Sequence, residues 1–468
     1  MKSHQSDVKS KNTTINDMTS GSPAKLLIRF MIPMCLGNLF QQFYNVVDSI
    51  VAGQFIGVQA FAAIGSTGSL MFFVIGWLNG LTSGFAIMVA QYFGAKKYNQ
   101  MRRYVAMSVY LSVACALVMT IVLTLANEPI LRMMNFSDEI MPQVKSYMGI
   151  IYAGLIVTVA YDALSAFLRA LGDSRSPLHF LMISAGINVV LDIVFIIVAG
   201  MGVEGCAYAT VIAQGISAVL CFIYIMKRFP ILRLKKEDFR INFSWIGTLL
   251  KLGVPMALQF SITAIGTIIV QGAVNIYGEN YMAGFSAAGK LQNIFMTVMT
   301  AFGATVATYV GQNRGAGKWK RVKQGVRCTQ YMIWIWSVIM MALVFFAGKY
   351  MTLLFIHASE TEVIRVAVLY FHTVCWCYPF LGSIFLYRNT LQGMGYGLVP
   401  MLGGIFELVA RAAMVMILAG RTSFAGVCLA DPAAWIAALI PIVPYYFFVM
   451  RKWERQERQK GSQIGQSI

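Results

Sequence analysis

Inside the long apolar stretches of this chain the sequence singles out six ionisable side chains, and their neighbours decide what chemistry each could do. Asp48 lies in NLFQQFYNVVDSIVAG, with Gln41, Tyr44 and Asn45 at helical spacings before it, so a polar stripe leads to the carboxylate. Asp192 has Asn188 four residues before it and Ser184 four before that, a second single-face stripe. Two carboxylates with an amide between them suit a proton, by acid chemistry, or sodium, by oxygen ligation. The competing reading is that each Asp bonds a neighbouring helix. Asp162, two turns before Arg169, reads equally as a coupling carboxylate or as the mark of a helix end. Glu407 and Arg411 are four apart, the spacing of an internal ion pair, and read as structural neutralisation. Lys290 has no acid within one turn; it either snorkels or neutralises an acid across a cavity.

Other polar groups suggest a wall rather than a reaction centre. Gln259, Thr263, Thr267 and Gln271 recur every four residues, a neutral face suited to broad recognition or to interhelical bonding. The 29 methionines suit an adaptable apolar lining, although most must face core or lipid. Pro33 and Pro255 each remove a backbone hydrogen bond and are candidate hinges, or else fixed kinks used for packing. The four histidines, at 4, 179, 357 and 372, are scattered, so no metal site is expected. The eight cysteines lie in or beside apolar runs, and Cys375 and Cys377 face different ways on a helix, which favours packing over a disulfide framework. No phosphate-binding G-x-x-x-x-G-K-[ST] loop occurs, so ATP hydrolysis by that route is excluded and no cofactor is expected. An embedded enzyme would need clustered histidines, a metal motif or an activated nucleophile, and none is apparent.

These groups need elements at membrane depth to position them. With 58% hydrophobic and 12% charged residues the chain reads as an all-α polytopic membrane protein. Twelve spans of sufficient length are expected, near 26–52, 58–93, 104–126, 139–168, 176–200, 204–226, 245–276, 281–311, 325–348, 363–390, 398–419 and 425–450. The net charge of +18 would suit nucleic acid, but its distribution argues otherwise. Thirty Lys and Arg fall in alternate connections and the tails, including Lys2, Lys9, Lys11, Lys96, Lys97, Arg102, Arg103, Arg314, Lys318, Arg321 and Arg388. The other connections hold five: Arg132, Lys145, Lys349, Arg365 and Arg421. That bias predicts a cell-membrane protein with both termini and the central linker cytoplasmic. The first 24 residues are polar, so no cleavable signal is expected and the first span inserts as its own.

The second half repeats the first at a nearly constant offset of 221 residues. Gln91, Gly94 and Ala95 return as Gln312, Gly315 and Ala316; Gly57 as Gly278; Gly172 as Gly393; Gly205 and Ala209 as Gly426 and Ala430. Pro33 and Pro255 are one residue off that register. Six spans per half is an even number, so the repeats are parallel, the arrangement of transporters with a central site exposed alternately to each side. The expected division is a segment 1–24, a first lobe 25–228, a linker 229–244, a second lobe 245–452 and a basic tail 453–468.

With these residues in hand the chain resembles the multidrug and toxic compound extrusion (MATE) transporters of the MOP superfamily, from about 25 to 450. The carriers are IPM at Pro33, VVDSIVAG around Asp48, QYFGA at 91–95, FLRALGDSRSP at 167–177, NVVLD at 188–192, GVEGCAYAT at 202–210 and GQNRGAG at 311–317. The resemblance implies twelve helices in two six-helix lobes forming a V, acting as a monomer. It implies export of amphipathic organic cations in exchange for H+ or Na+. In that family the first-span acid and the Asn/Asp pair of the fifth bind the cation, which carries onto Asp48, Asn188 and Asp192. Branches with acids in spans seven and ten are not matched, because span seven offers Gln259 and Gln271 and span ten has no acid. That favours a DinF-like branch coupled through the first lobe. The alternative within the superfamily is a flippase for lipid-linked oligosaccharide, which needs several basic residues in the cavity; Lys290 and Arg411 are the candidates.

Overall fold

The computed structural model describes residues 17–57, 64–65, 67–134, 136, 138, 140–418 and 424–465, with side chains described except at 44–50, 52–53, 457–458 and 460–465. The side chains of Tyr44, Asn45 and Asp48, and all of Lys2, Lys9, Lys11 and Arg421, lie outside the described residues. The first half comprises α1 (Pro23–Phe55), α2 (Gly68–Gly94), α3 (Tyr98–Leu125), α4 (Met141–Ala153), α5 (Leu155–Ala170), α6 (Arg175–Ile193) and α7 (Val203–Arg228). The second comprises α8 (Phe243–Asn275), α9 (Glu279–Gly315), α10 (Trp319–Thr352), α11 (Thr361–Val374), α12 (Tyr378–Gly393), α13 (Leu398–Leu418), α14 (Phe424–Cys428) and α15 (Ala430–Gly465). Among the described residues, eleven helical segments are long and apolar enough to cross a bilayer, and the α4–α5 pair, bent by 48°, completes the expected twelve.

Local chemistry sets the breaks. The bend between α4 and α5 falls at Gly154, where a β-carbon would collide with Val211 of α7, so only glycine lets the two helices cross. A short turn at Cys375–Cys377 separates α11 from α12, and Pro379, which has no N–H to give, occupies the first turn of α12 where none is needed. Asn242 starts α8 by accepting from the backbone N–H of Ser244 and Trp245 at 3.0 and 3.2 Å.

The repeat governs these boundaries. Gly94 and Gly315 end α2 and α9, Tyr98 and Trp319 start α3 and α10, and Val203 and Phe424 start α7 and α14; each pair is 221 apart. Burial follows the same symmetry: 67% of the most apolar stretch is buried in both α2 and α9, against 22% in both α6 and α13, so the first pair is central and the second peripheral.

The halves do not pack separately. At the end carrying Lys96, Lys97 and Lys318, hereafter the basic end, Leu27 and Phe30 of α1 are buried with Val306, Tyr309 and Val322 of the second half. Reciprocally, Leu249, Leu252 and Met256 of α8 are buried with Leu81, Phe85 and Met107 of the first half. Each half thus lends the base of its first helix to the other. Pro33 and Pro255 lie inside those two crossing helices, and both are buried. Lipid is as apolar as leucine, so such crossings depend on close backbone approach rather than on hydrophobic burial. Glycines supply it: a β-carbon on Gly80 would lie 2.7 Å from Ala257 Cα, and one on Gly84 2.5 Å from Gly253 Cα.

Candidate functional site

The first-lobe stripe forms as its spacing predicts. Ser184, Asn188 and Asp192 lie on one buried face of α6, and Asn188 and Asp192 are 0% exposed. Ser184 Oγ donates to the Ala213 carbonyl of α7 at 2.7 Å, tying the stripe to its neighbour. Neither amide atom of Asn188 has a hydrogen-bond partner among the described residues, an expensive state for a buried carboxamide and one that a small bound cation or a water would relieve.

Asp48 reaches the same level through its backbone. Helices α1 and α6 pack together, and a β-carbon on Gly37 would touch Leu178. Both helices start at the basic end and rise about 1.5 Å per residue. Asp48 is eleven residues beyond Gly37 and Val189 eleven beyond Leu178, so the Asp48 backbone stands level with the segment between Asn188 and Asp192.

Asp162 is not joined to them by any hydrogen bond or ion pair among the described residues. It sits half-buried on α5, with one carboxylate oxygen unpartnered and Arg169, one helix face along, as the opposing charge.

The neutral face of α8 grades from buried to open. Gln259 is 7% exposed, Thr263 and Gln271 are intermediate and Thr267 is exposed. Thr263 and Thr267 donate to their own helix, at the Gln259 and Ala264 carbonyls, and Gln271 to Asn275. Gln41 is exposed on α1.

Lys290 is exposed, and its ammonium lies 5.7 Å from the Phe355 ring, a cation–π partner offered by the apolar turn after α10. One expectation needs correction. Arg388 does not lie in a connection after the tenth span. It is half-buried inside α12, which continues to Gly393.

The second lobe also holds a network that the sequence leaves incomplete. Arg411 Nη2 lies 3.1 Å from Glu407 Oε1, as the spacing predicts, and its Nε lies 3.1 Å from Asp431 Oδ1 on α15. Tyr370 of α11 connects Asp431, at 3.2 Å, to Gln292 of α9, at 2.8 Å. The Arg411 guanidinium passes over Gly266 of α8, where a β-carbon would block it. Asp431 beside Pro432 resembles a helix-start residue, so only the fold reveals its pairing.

The basic end is sealed by the repeat meeting itself. A β-carbon on Gly94 would collide with the backbone of Gln312, and one on Gly315 with the backbone of Gln91. These are the same two positions in each half. Gln91 Nε2 donates to the Gly393 carbonyl at 2.8 Å, and Gln312 Nε2 to the Ala170 carbonyl at 2.9 Å. The segment before α1 adds to the seal: Met18 N–H donates to Gln312 Oε1 at 2.9 Å, and Arg321 Nη1 donates to the Gly21 carbonyl at 2.8 Å.

The described residues thus hold a buried carboxylate–amide pair, a close crossing of the two halves at one end and a polar face that becomes more exposed away from it. Comparison with known proteins decides the family: its sequence profile matches residues 33–194 and 255–440, one stretch in each half. The chain belongs to the MatE family. This MATE protein is 29% identical over 383 residues to the probable multidrug resistance protein YpnP of Bacillus subtilis, spanning 81% of this chain and 84% of YpnP. It is 24% identical to the probable multidrug resistance protein NorM of Thermotoga maritima, spanning 94% and 96%. Its fold matches a solved MATE multidrug transporter in the outward-facing conformation with a TM-score of 0.88 at 21% identity, covering 95% and 99% of the two chains. It matches equally, at 0.88 and 21%, a MOP superfamily transporter from Pyrococcus furiosus described as having a binding pocket of reversed polarity, covering 95% and 100%. The MATE chain is therefore a multi-pass membrane transporter and not an enzyme. Among the described residues no group of His, Cys, Asp and Glu is placed to hold a metal ion.

Proposed function

We propose that this chain is a secondary active multidrug exporter that exchanges amphipathic organic cations for H+ or Na+ by alternating access. The observation that carries this reading is the fully buried Asn188–Asp192 pair, with the Asn188 amide unpartnered among the described residues and the Asp48 backbone at the same level. A carboxylate at membrane depth is costly enough to mark an ion path by default. In the cycle, Asp48 and Asp192 take up the ion on the open side and the loss of charge releases the substrate. Release of the ion at the other side restores the carboxylates for the next organic cation. Asp162 serves as a further acidic group, Pro33 and Pro255 serve as hinges in the crossing helices, and Gln41, Tyr44, Asn45, Gln259, Thr263, Thr267 and Gln271 face the substrate. Coupling stays in the first lobe, because the acids of the second are held by Arg411. The basic end is cytoplasmic and the protein works as a monomer in the cell membrane, with no nucleic-acid partner.

The test is uptake of a fluorescent organic cation by inverted vesicles, with a proton gradient and a sodium gradient imposed in turn. Transport driven by one gradient and abolished by both Asp48→Asn and Asp192→Asn is expected. Undiminished transport by either variant refutes its role. The flippase reading has Arg411 as one of its two basic candidates, and Arg411 is already paired with Glu407 and Asp431.

A further inference from the structure

We propose that Arg388, with Gln259 and Gln392, forms a subsite at the closed end of the cleft that binds an anionic group of the substrate, so that the preferred cargo is an amphipathic zwitterion rather than a simple cation. This rests on the export reading above and adds to it a substrate class and a residue that selects it.

Position comes first. Gln259 lies between Ala257 and Phe260, which meet Gly80 and Gly76 of the other lobe, so it sits at the point where the lobes cross. Arg388 is five residues before Gly393, whose carbonyl takes the Gln91 seal. Both therefore stand just on the cleft side of the closed basic end.

Charge comes second. No carboxylate forms an ion pair with Arg388 among the described residues. Glu407 is the acid that faces it, and Glu407 is already engaged by Arg411. With the Gln259 carboxamide oxygen turned toward Arg388, that oxygen accepts from Arg388 Nε and Nη1 at 2.9 Å each. A guanidinium has five N–H donors, so three remain. Gln392, 3% exposed, is turned likewise so that its carboxamide oxygen accepts from the Gln259 amide nitrogen at 3.0 Å, and the Phe385 ring lies 5.0 Å from the guanidinium carbon as a flat wall. A half-buried arginine with spare donors, a neutral partner and an aromatic wall is suited to a carboxylate, which it grips in a two-pronged fashion.

The repeat points the same way. The first-lobe counterpart of Arg388, 221 residues earlier, is Phe167. Symmetry thus breaks at Arg388 as it does at Asp48 and Asp192, leaving a cleft acidic on one lobe and basic at the foot of the other. A molecule with an amine and a carboxylate some way apart would lie across it with both charges met.

The experiment uses two fluorescent probes that share one cationic ring system, a free carboxylic acid and its methyl ester, with the full-length protein in proteoliposomes. Wild type is expected to transport the acid with a KM no higher than that of the ester. In Arg388→Gln the ratio of the two KM values should move against the acid by about ten-fold or more, and Arg388→Lys, which keeps charge but loses the fork, should lie between. Equilibrium binding of both probes to the purified variants gives the same ratio without depending on turnover. Equal effects of Arg388→Gln on both probes, in transport and in binding, would make Arg388 a packing residue and overturn the proposal. Ester transport with no acid transport in wild type would overturn it while leaving export intact. Transport of neither probe would sink the export reading itself and the subsite with it.

Discussion

Replacing Gly315 by alanine should open the basic end. Its new β-carbon would stand 2.6 Å from the Gln91 carbonyl carbon and 3.0 Å from Gln91 Cα, against about 3.4 Å for ordinary contact, with the carbonyl oxygen closer still. The obstacle is backbone of a central helix, so α2 and α9 must part by on the order of 1 Å. Overpacking of this kind costs about 1–3 kcal/mol. Parting the helices also stretches the Gln91–Gly393 and Gln312–Ala170 hydrogen bonds, each contributing about 1 kcal/mol. A total of about 3–5 kcal/mol set against the sealed state alone shifts its equilibrium by roughly 150-fold or more. Spin labels at positions 97 and 318, at the starts of α3 and α10, measure the separation of the lobes at this end by pulsed dipolar spectroscopy. A longer distance population in Gly315→Ala is expected. Gln91→Ala, which removes one bond and introduces no clash, should shift the same population by a smaller amount. Unchanged distances in both variants, in protein that elutes as a single species, would refute the argument that this crossing is the seal.

Three further outcomes follow from the same geometry. Arg411→Met leaves the buried Glu407 and the part-buried Asp431 without their shared cation, so a loss of about 3–5 kcal/mol is expected, read as a large fall in thermal midpoint; Glu407→Gln should cost less because Arg411 keeps Asp431. Lys96 is the one described non-glycine residue with positive φ, 56°, and its repeat partner is Gly317 at 70°; Lys96→Gly should therefore be neutral to stabilising by up to about 1 kcal/mol, and Gly317→Lys destabilising by a similar amount, in matched thermal unfolding. On the opposite face, donation from Lys145 and Arg132 holds the Glu128 carboxyl down to about 2. A carboxylate with a depressed pKa keeps its stabilising contribution above its unfolded value and loses it as pH falls through the folded one. The tie between 127–133 and α4 should thus survive at pH 4.5 and fade only toward pH 2, and hydrogen exchange of 127–133, corrected for intrinsic rates, should match between pH 7 and pH 4.5.

Much of the fold was legible because its governing constraint is one-dimensional. A span is a length of apolar sequence, and a duplication is a constant offset, so α2, α3, α9 and α10 begin or end where the 221-residue shift puts them. The Ser184–Asn188–Asp192 stripe was legible for a similar reason, since a four-residue period on a known helix fixes the face. What sequence periodicity does not carry is which lobe a helix face meets. Nothing in the sequence around Leu27 and Phe30 says that they are buried against residues of the second half. Arg388 reads as a topological charge at a helix end, because nothing local says that α12 runs on to Gly393. Asp431 was hidden by distance in sequence: its partner Arg411 is twenty residues away across residues 419–423, and Tyr370 is sixty-one away.

The crossing of α1 and α8 changes what the duplication means for mechanism. If each half packed only on itself, an ion bound in the first lobe would have no mechanical route to the second. Here α1 packs along α6 in the first lobe, while its own base is buried in the second. On the proposed cycle, a charge change at the level of Asp48 and Asp192 would act on a helix already anchored across the seal, with Pro33 between the two regions. Helix α8 has the mirror arrangement, with Pro255 at its crossing and Gln259 beyond it, but it carries no acid. In the cycle proposed above, the α1 arm would sense the ion and the α8 arm would present the neutral wall that begins at Gln259, with Arg388 of α12 beside it. The shared crossings would then couple the lobes, and the side chains at which the repeat departs would set which lobe is driven and which is loaded.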